Sequence, residues 1–325
     1  MINILIILIV FLVVATLVQM TRVSELLSEL KGQDVNTVTD GDNRTQGVLC
    51  LLIGSAFLIF VVWQMLEWNH LLLPPASSVH GAQIDGLMQF TMGLILIVFF
   101  ILTPMLFYFA YRYRGKKDNV AYYFVHNNKL EMIWTIIPTI VLTGVIIFGL
   151  KTWDKAMNVD TSDSRIIEVY GKQFQWIARS SGADNLLGNA DFRLVHSKNT
   201  LGVDMDDINA ADDKIIREVH LVVDKPVLLK FRSQDVIHSA YLPHFRVQMN
   251  CVPGLSTQFA FTPTQTTAEM KKQEGEGFEY VLLCNKICGS PHYNMQMKFI
   301  VETQEEYDAW ISTQKTLKEK LLTQK

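Results

Sequence analysis

Apolar residues are spread unevenly along this chain, and the unevenness divides it. Four long runs of nearly continuous apolar positions lie before residue 153, and short stretches of apolar and polar residues follow. Ile2 to Met20, Gly47 to Trp63, Met92 to Tyr111 and Met132 to Leu150 each approach the roughly 20 residues that cross about 30 Å of hydrocarbon. The first run lacks the charged n-region and small-x-small cleavage site of a signal peptide, so it reads as a transmembrane helix. Trp63 and Trp68 close the second run, and Trp134 and Trp153 bracket the fourth, as interfacial aromatics do. Pro104 predicts a kink in the third. Four such runs in one chain predict membrane spans rather than buried helices of a soluble protein.

Positive charge sets their orientation. Arg112, Arg114, Lys116, Lys117 and Lys129 separate the third and fourth runs, and Arg22, Lys31 and Arg44 lie between the first and second. The stretch from Glu67 to Gln83 contains neither Lys nor Arg. Cytoplasmic loops carry the excess of Lys and Arg, which puts the N-terminus and everything after Trp153 outside. Glu131 stands at the cytoplasmic mouth of the fourth span, where a carboxylate is either solvated or a candidate collector of protons.

Beyond Ser164 the pattern shortens to strands rich in β-branched and aromatic residues. These are Arg165–Tyr170, Gln173–Ala178, Ile216–Val223, Val227–Arg232, Val236–Leu242, Thr257–Phe261, Glu279–Cys284 and Gln296–Val301. Turn signals such as Asp224-Lys225-Pro226 and Pro253-Gly254 separate them, which predicts an all-β sandwich or barrel. Ser180 to Lys214 breaks the pattern. Its Asp204, Asp206, Asp207, Asp212 and Asp213 fit either a solvated insertion or an acidic docking surface for a basic partner. Thr303 to Leu322 predicts an amphipathic helical tail, packed on a neighbour or on the sandwich edge.

Composition narrows the function. The 325 residues allow one or two domains, and a net charge of −3 offers no basic face to neutralise nucleic-acid phosphates. Of the four Cys, Cys50 lies in an apolar run and Cys251 stands alone, so no disulfide framework is indicated. The other two open the most informative stretch, C-N-K-I-C-G-S-P-H-Y-N-M from Cys284 to Met295. Two isolated Cys in a loop are more often structural. Two thiols, an imidazole (His292) and a thioether (Met295) within one loop form a soft ligand set that suits copper better than zinc or a hard cation. His238, in Asp235-Val-Ile-His-Ser239, adds a second imidazole from an earlier segment. A one-copper blue site needs a single Cys, and this chain offers one more. Two thiolates can bridge two coppers.

With these residues the chain resembles subunit II of haem–copper cytochrome c oxidases, which carry a dinuclear CuA centre in a cupredoxin domain. D-V-x-H-S is Asp235 to Ser239, and C-x-x-x-C-G-x-x-H-x-x-M is Cys284 to Met295. Glu131-Met-Ile-Trp-Thr-Ile-Ile-Pro138 resembles the start of the family's second helix, and Ser77 to Asp85 resembles the approach to its first. The likeness covers residues 75 to 305, and the first two spans are additional to the usual two.

The resemblance implies a membrane-anchored protein: extra helices over 1–70, a two-helix anchor over 71–153, a cupredoxin domain over 154–302 and a helical tail over 303–325. It implies that Cys284 and Cys288 bridge both coppers and that His238 and His292 each bind one. Met295 and the backbone carbonyl of Lys286 are then the weak ligands, and Glu131 guards a proton path into subunit I. Implied partners are oxidase subunit I, with its haems, the other oxidase subunits, membrane lipid and a cytochrome c-type donor. The implied location is a bacterial cytoplasmic membrane, with the copper domain on its outer face.

Departures from the family pattern shape these expectations. Lys286 replaces a Glu that normally helps hold Mg²⁺ against subunit I, so its ammonium is expected to replace that ion. Gly171-Lys-Gln-Phe-Gln-Trp176 stands where the family often has G-H-Q-W-Y-W, which makes Phe174 and Trp176 the candidate electron-entry residues. Asn250 and Leu255 replace a common Asp and Arg, so the donor-facing surface is altered and a tethered or complex-bound cytochrome c is expected. The two extra spans are candidate docking elements for a supercomplex. A membrane-anchored copper chaperone is the alternative reading, but it leaves the His-x-x-Met continuation and the strand-rich half unexplained.

Overall fold

The computed structural model describes residues 2–30, 32, 37–158 and 161–323. Lys31, one of the orienting charges, lies outside them, as do the last two residues of the tail. The chain divides into two compact units, Met1–His70 with Ile95–Asn127, and Leu71–Leu94 with Asn128–Lys325.

Among the described residues, four helices are long and apolar enough to cross a membrane: α1 (Ile2–Leu30), α2 (Asp40–Trp68), α3 (Val79–Arg112) and α4 (Asn128–Met157). Each outruns its apolar core because polar residues extend it. Thr39 and Asp42 form a capping box that starts α2 well before Gly47. α3 continues through Pro104 and α4 through Pro138, as helices of this kind tolerate.

In the first unit, small residues let two helices meet. The buried residues of α2 are Gly47 and Gly54, seven positions apart and so on one helical face. A Cβ at Gly54 would lie 2.2 Å from the Phe107 ring, and one at Gly47 would lie 3.2 Å from the Arg114 side chain. Gly54→Leu is therefore expected to push the two helices apart at a cost of about 1–3 kcal/mol. Lower resistance of the detergent-solubilised chain to heat would register it, and an unchanged midpoint would contradict this packing.

The second unit carries a two-sheet sandwich. One sheet has the order β3 (Lys214–Ile216), β2 (Gln175–Ser180), β1 (Arg165–Lys172), β5 (Val227–Ser233), β8 (Thr257–Phe261). The other runs β4 (Val219–Val222), β10 (Gln296–Glu302), β9 (Tyr280–Cys284), β6 (His238–Leu242), β7 (Val247–Cys251). β1 with β5 and β4 with β10 are parallel pairs, and the other pairs are antiparallel. Alternate residues of each strand point inward. Val169, Leu229, Phe231, Ala240, Leu282, Phe299 and Val301 form a continuous buried core between the sheets.

Several expected elements are corrected here. The strand expected at Ile216–Val223 is two strands, because the chain crosses between sheets at Arg217 and Glu218. The strand expected at Val236–Leu242 begins only at His238. β7 and a short helix α5 (Thr267–Glu274), capped by Thr266 and Glu269, were not expected. The tail is two helices, α6 (Gln304–Thr313) and α7 (Leu317–Thr323). It packs on the sandwich: Trp310 stacks on His220 at 3.7 Å between ring centroids and 9° between planes.

The Ser180–Lys214 segment is more than a solvated insertion. It covers the outer face of the first sheet, where Leu201, Val203 and Ala210 cluster with Tyr170 and with Leu317 of α7. Several of its aspartates bond within the fold. Asp207 caps a 3₁₀ turn, Asp212 accepts from the Ala183 N–H, and Asp213 is fully buried against Arg179.

The segment leading into α3 is stitched to the sandwich. The Ser77 N–H donates to the His244 carbonyl, Val79 to Thr262, and Thr264 back to Ser77. Arg246 grips the Asp85 carboxylate with two bonds of 2.8 Å and donates a third bond to the Pro74 carbonyl.

Candidate metal centre

Strand register brings the two ligand segments together. β6 lies beside β9 with Ala240 opposite Cys284, and His238 shares the face of Ala240 two residues earlier. The loop after Cys284 is pinched at its base, where the Cys284 N–H donates to the Met295 carbonyl. Asn285 continues the pairing by donating to Ser239. Within the loop, a 3₁₀ turn over His292–Asn294 folds the chain back, and Gly289 adopts a φ of 143° that few residues tolerate.

The result is a knot of donors around two sulfurs. The Sγ atoms of Cys284 and Cys288 are 4.0 Å apart. His238 Nδ1 lies 3.7 Å from the first, and the Lys286 carbonyl lies 3.3 Å from it. His292 Nδ1 and Met295 Sδ stand 3.5 and 3.9 Å from the second. Ligands that share one first-row ion with bonds of about 2.0–2.3 Å stand roughly 3–4 Å apart, so each spacing fits common coordination. His238, Cys284 and Cys288 place their ligand atoms within 4.8 Å of one another. Six donors exceed what one four-coordinate ion takes; four are thiol sulfurs or imidazole nitrogens of the kind that selects copper, and the Met295 thioether and Lys286 carbonyl are weak ones.

Burial favours the neutral thiol within the cluster. Burial, and then the neighbouring Cys284, push the Cys288 thiol up to about 11. A coordinating metal strips such a proton outright. Cys251, opposite His238 in β7, is a core residue whose thiol burial pushes up to about 12.

His238 is fully buried, and its ring is oriented from behind. Its Nε2–H donates to Asp235 Oδ1 at 2.9 Å, which leaves Nδ1 as the acceptor facing the sulfurs. Asp235 loses solvation in burial, yet the N–H groups of Gln173 and Val236 and the His238 ring hold its carboxyl below the usual range. Asp235→Ala should lower metal affinity about 10- to 100-fold, which competition with a chelator would measure. Wild-type retention of the metal would contradict the orienting role.

The aromatic candidates flank this core. Trp176 is buried and meets the His238 ring edge-on, with centroids 5.8 Å apart. Phe174 covers the loop from the other side, where a Cβ on Gly289 would come 2.6 Å from its ring. The Lys286 side chain is exposed, while its carbonyl belongs to the cluster. Glu131 sits in the first turn of α4 and is not among the clustered groups.

Three contributors escaped the sequence reading. Asp235 belonged to the recognised motif but had no role there. Gly171 makes room for the His238 ring, since a Cβ would lie 2.9 Å from it. Gln173 donates from its side chain to the Cys288 carbonyl. An Asp three residues before a candidate His ligand was the available signal for the first. Gly171 and Gln173 lie in the quoted Gly171–Trp176 stretch, where only the aromatics had been given a role.

Two family models match the chain. The transmembrane domain of cytochrome c oxidase subunit II matches residues 62–152, and its periplasmic domain matches residues 166–303. The alternative cytochrome c oxidase subunit 2 of Bradyrhizobium diazoefficiens is 31% identical over 271 residues, which cover 83% of this chain and 91% of that protein. Cytochrome c oxidase subunit 2 of Synechocystis is 27% identical over 289 residues, covering 82% of each. Among solved structures, the periplasmic domain of subunit II from Bradyrhizobium japonicum is 22% identical, covers 47% of this chain and 94% of that one, and gives a TM-score of 0.31.

Proposed function

This chain belongs to the cytochrome c oxidase subunit II family, and on that premise we propose that its copper centre is the dinuclear CuA site, held by His238, Cys284, Cys288, His292, Met295 and the Lys286 carbonyl. As a subunit II it is the electron-entry subunit of an oxidase complex, a membrane protein with a periplasmic copper domain. The copper chaperone reading is not favoured.

One observation carries the dinuclear reading: two sulfurs sit side by side, with imidazole nitrogens close to each. Copper held by these residues would supply one-electron transfer. The chain's own residues supply the rest. Asp235 fixes the His238 tautomer, the pinched loop base holds Cys284 against Met295, and Cys288 and Met295 are buried. Ligands held by a rigid shell move little between charge states, which favours fast transfer.

Electrons enter past Phe174 and Trp176 from a cytochrome c-type donor that is tethered or bound in the complex, and leave for haem in subunit I. The Lys286 ammonium stands where the family's Mg²⁺ is bound. The membrane is a bacterial cytoplasmic one, with residues 71–153 as the subunit I anchor and 1–70 as a docking element for a supercomplex. Glu131 opens a proton path. Glu131→Ala is expected to slow proton uptake about 10-fold or more while the copper signal stays intact, since general acid–base groups contribute about 10²–10⁴-fold. Loss of that signal instead would count against the assignment.

Electron paramagnetic resonance and near-infrared absorption of the purified oxidase test the centre. Hyperfine splitting shared over two coppers is expected. A single-copper pattern at this site overturns the dinuclear reading, and stoichiometric Mg²⁺ at Lys286 overturns its replacement.

A further inference from the structure

We propose that Gln173 is a positioning residue for the copper centre, a bracket that ties together the two chain segments supplying the ligands. It sits in the turn between β1 and β2, which pair up to Lys172 and Gln175. Its backbone N–H donates to Asp235 Oδ2 at 2.8 Å, and the other oxygen of that carboxylate accepts from His238. Its side-chain amide donates to the carbonyl of Cys288. One residue therefore reaches the early ligand through Asp235 and the late ligand loop directly.

The neighbours reinforce the bracket. The Gln234 N–H donates to the Gly171 carbonyl at 2.9 Å, fixing the strand before the turn against the segment that leads to His238. Phe174 lays its ring over Gly289, which directly follows Cys288. A Cβ on Gly289 would lie 2.6 Å from that ring and 3.3 Å from the Gln173 amide nitrogen, so residues 173 and 174 together seat the loop. The residue as a whole is exposed, yet its amide is turned onto a protein carbonyl. Fixing an exposed glutamine costs side-chain entropy, which the bond must offset.

This role rests on the dinuclear reading. Its chemical content is that the Cys288 end of the loop cannot swing away from the His238 end when the charge on the centre changes.

Gln173→Met tests it, because methionine keeps the length and removes the donor. The measurements are made on the purified oxidase containing the full chain. The variant is expected to assemble with its copper, to lose that copper to a chelator about 10-fold faster, the low end of outer-shell effects, and to show altered hyperfine splitting and a shifted midpoint potential. A variant whose copper release, splitting and potential equal the wild type overturns the proposal. So does one whose thermal midpoint falls while those three stay put, since that describes a merely structural residue. A wild-type complex without the dicopper signal defeats the dinuclear reading, whereas a normal wild type beside an unaltered variant defeats only the role of Gln173.

Discussion

An oxidase carrying Cys288→Ser is expected to lose its near-infrared band and to oxidise cytochrome c more than about 100-fold more slowly. The sulfur of Cys288 is the busiest atom of the cluster, with Cys284 Sγ, His292 Nδ1 and Met295 Sδ all within 4.0 Å of it. A serine hydroxyl is a hard donor that keeps its proton at neutral pH, so it cannot take the place of a bridging thiolate. Removing outer partners of a metal ligand already costs about 10- to 100-fold, so removing the ligand exceeds that range. Stopped-flow reduction by cytochrome c, read alongside copper content, measures the effect. Wild-type reduction with the band intact would sink the ligand assignment. The helices have no part in this loss, so the chain should still assemble in the membrane.

Glu168→Gln is expected to cost about 3 kcal/mol of stability, although it lies outside the candidate metal centre. The carboxylate is buried between two guanidiniums, with Arg179 Nε at 2.9 Å and Arg232 Nε at 2.5 Å. Arg179 is itself 2% exposed and also holds Asp213 at 2.8 Å. Breaking one member of such a network strands a buried charge, for which about 3–5 kcal/mol is typical; glutamine keeps one acceptor and so falls at the lower end. Burial opposes the charge on Glu168, but Arg179 and then Arg232 outweigh it and hold the carboxyl below its ordinary value. A depressed carboxylate contributes fully above its unfolded pKa and loses that contribution as the pH falls through the folded one. The gap between wild type and variant should therefore be widest near neutrality and close in acid. Denaturant unfolding of the full chain in detergent at several pH values checks both statements. A gap that widened in acid would reverse the assigned sign.

The clustered sulfur and imidazole groups were legible because they crowd into one loop plus one short motif, and such a set is rare. Their supports were not. Gln173 bonds to partners 62 and 115 positions away, and no local pattern encodes such a bond. The membrane helices were legible because hydrocarbon demands long apolar runs. Their ends were not, because polar caps such as Thr39 and Asp42 lengthen a helix without raising its hydropathy. β7 escaped because Val-Gln-Met-Asn-Cys is a weak strand by itself. Its partner β6 makes it one, through five paired residues. The break between β3 and β4 belongs to the sandwich rather than to the residues at the break. Asp213 looked like surface charge because the sequence could not show that Arg179 lies beneath it.

The stitching around Ser77 and the grip of Arg246 on Asp85 have a mechanical consequence. A lobe hung from a single helix can turn like a flag on a pole. This one is pinned where the chain enters α3, and its strand β8 also packs against α4. Two pins remove the swivel, so the cupredoxin lobe cannot serve as a swinging arm that collects its cargo in one place and delivers it in another. Whatever brings electrons has to come to a fixed berth.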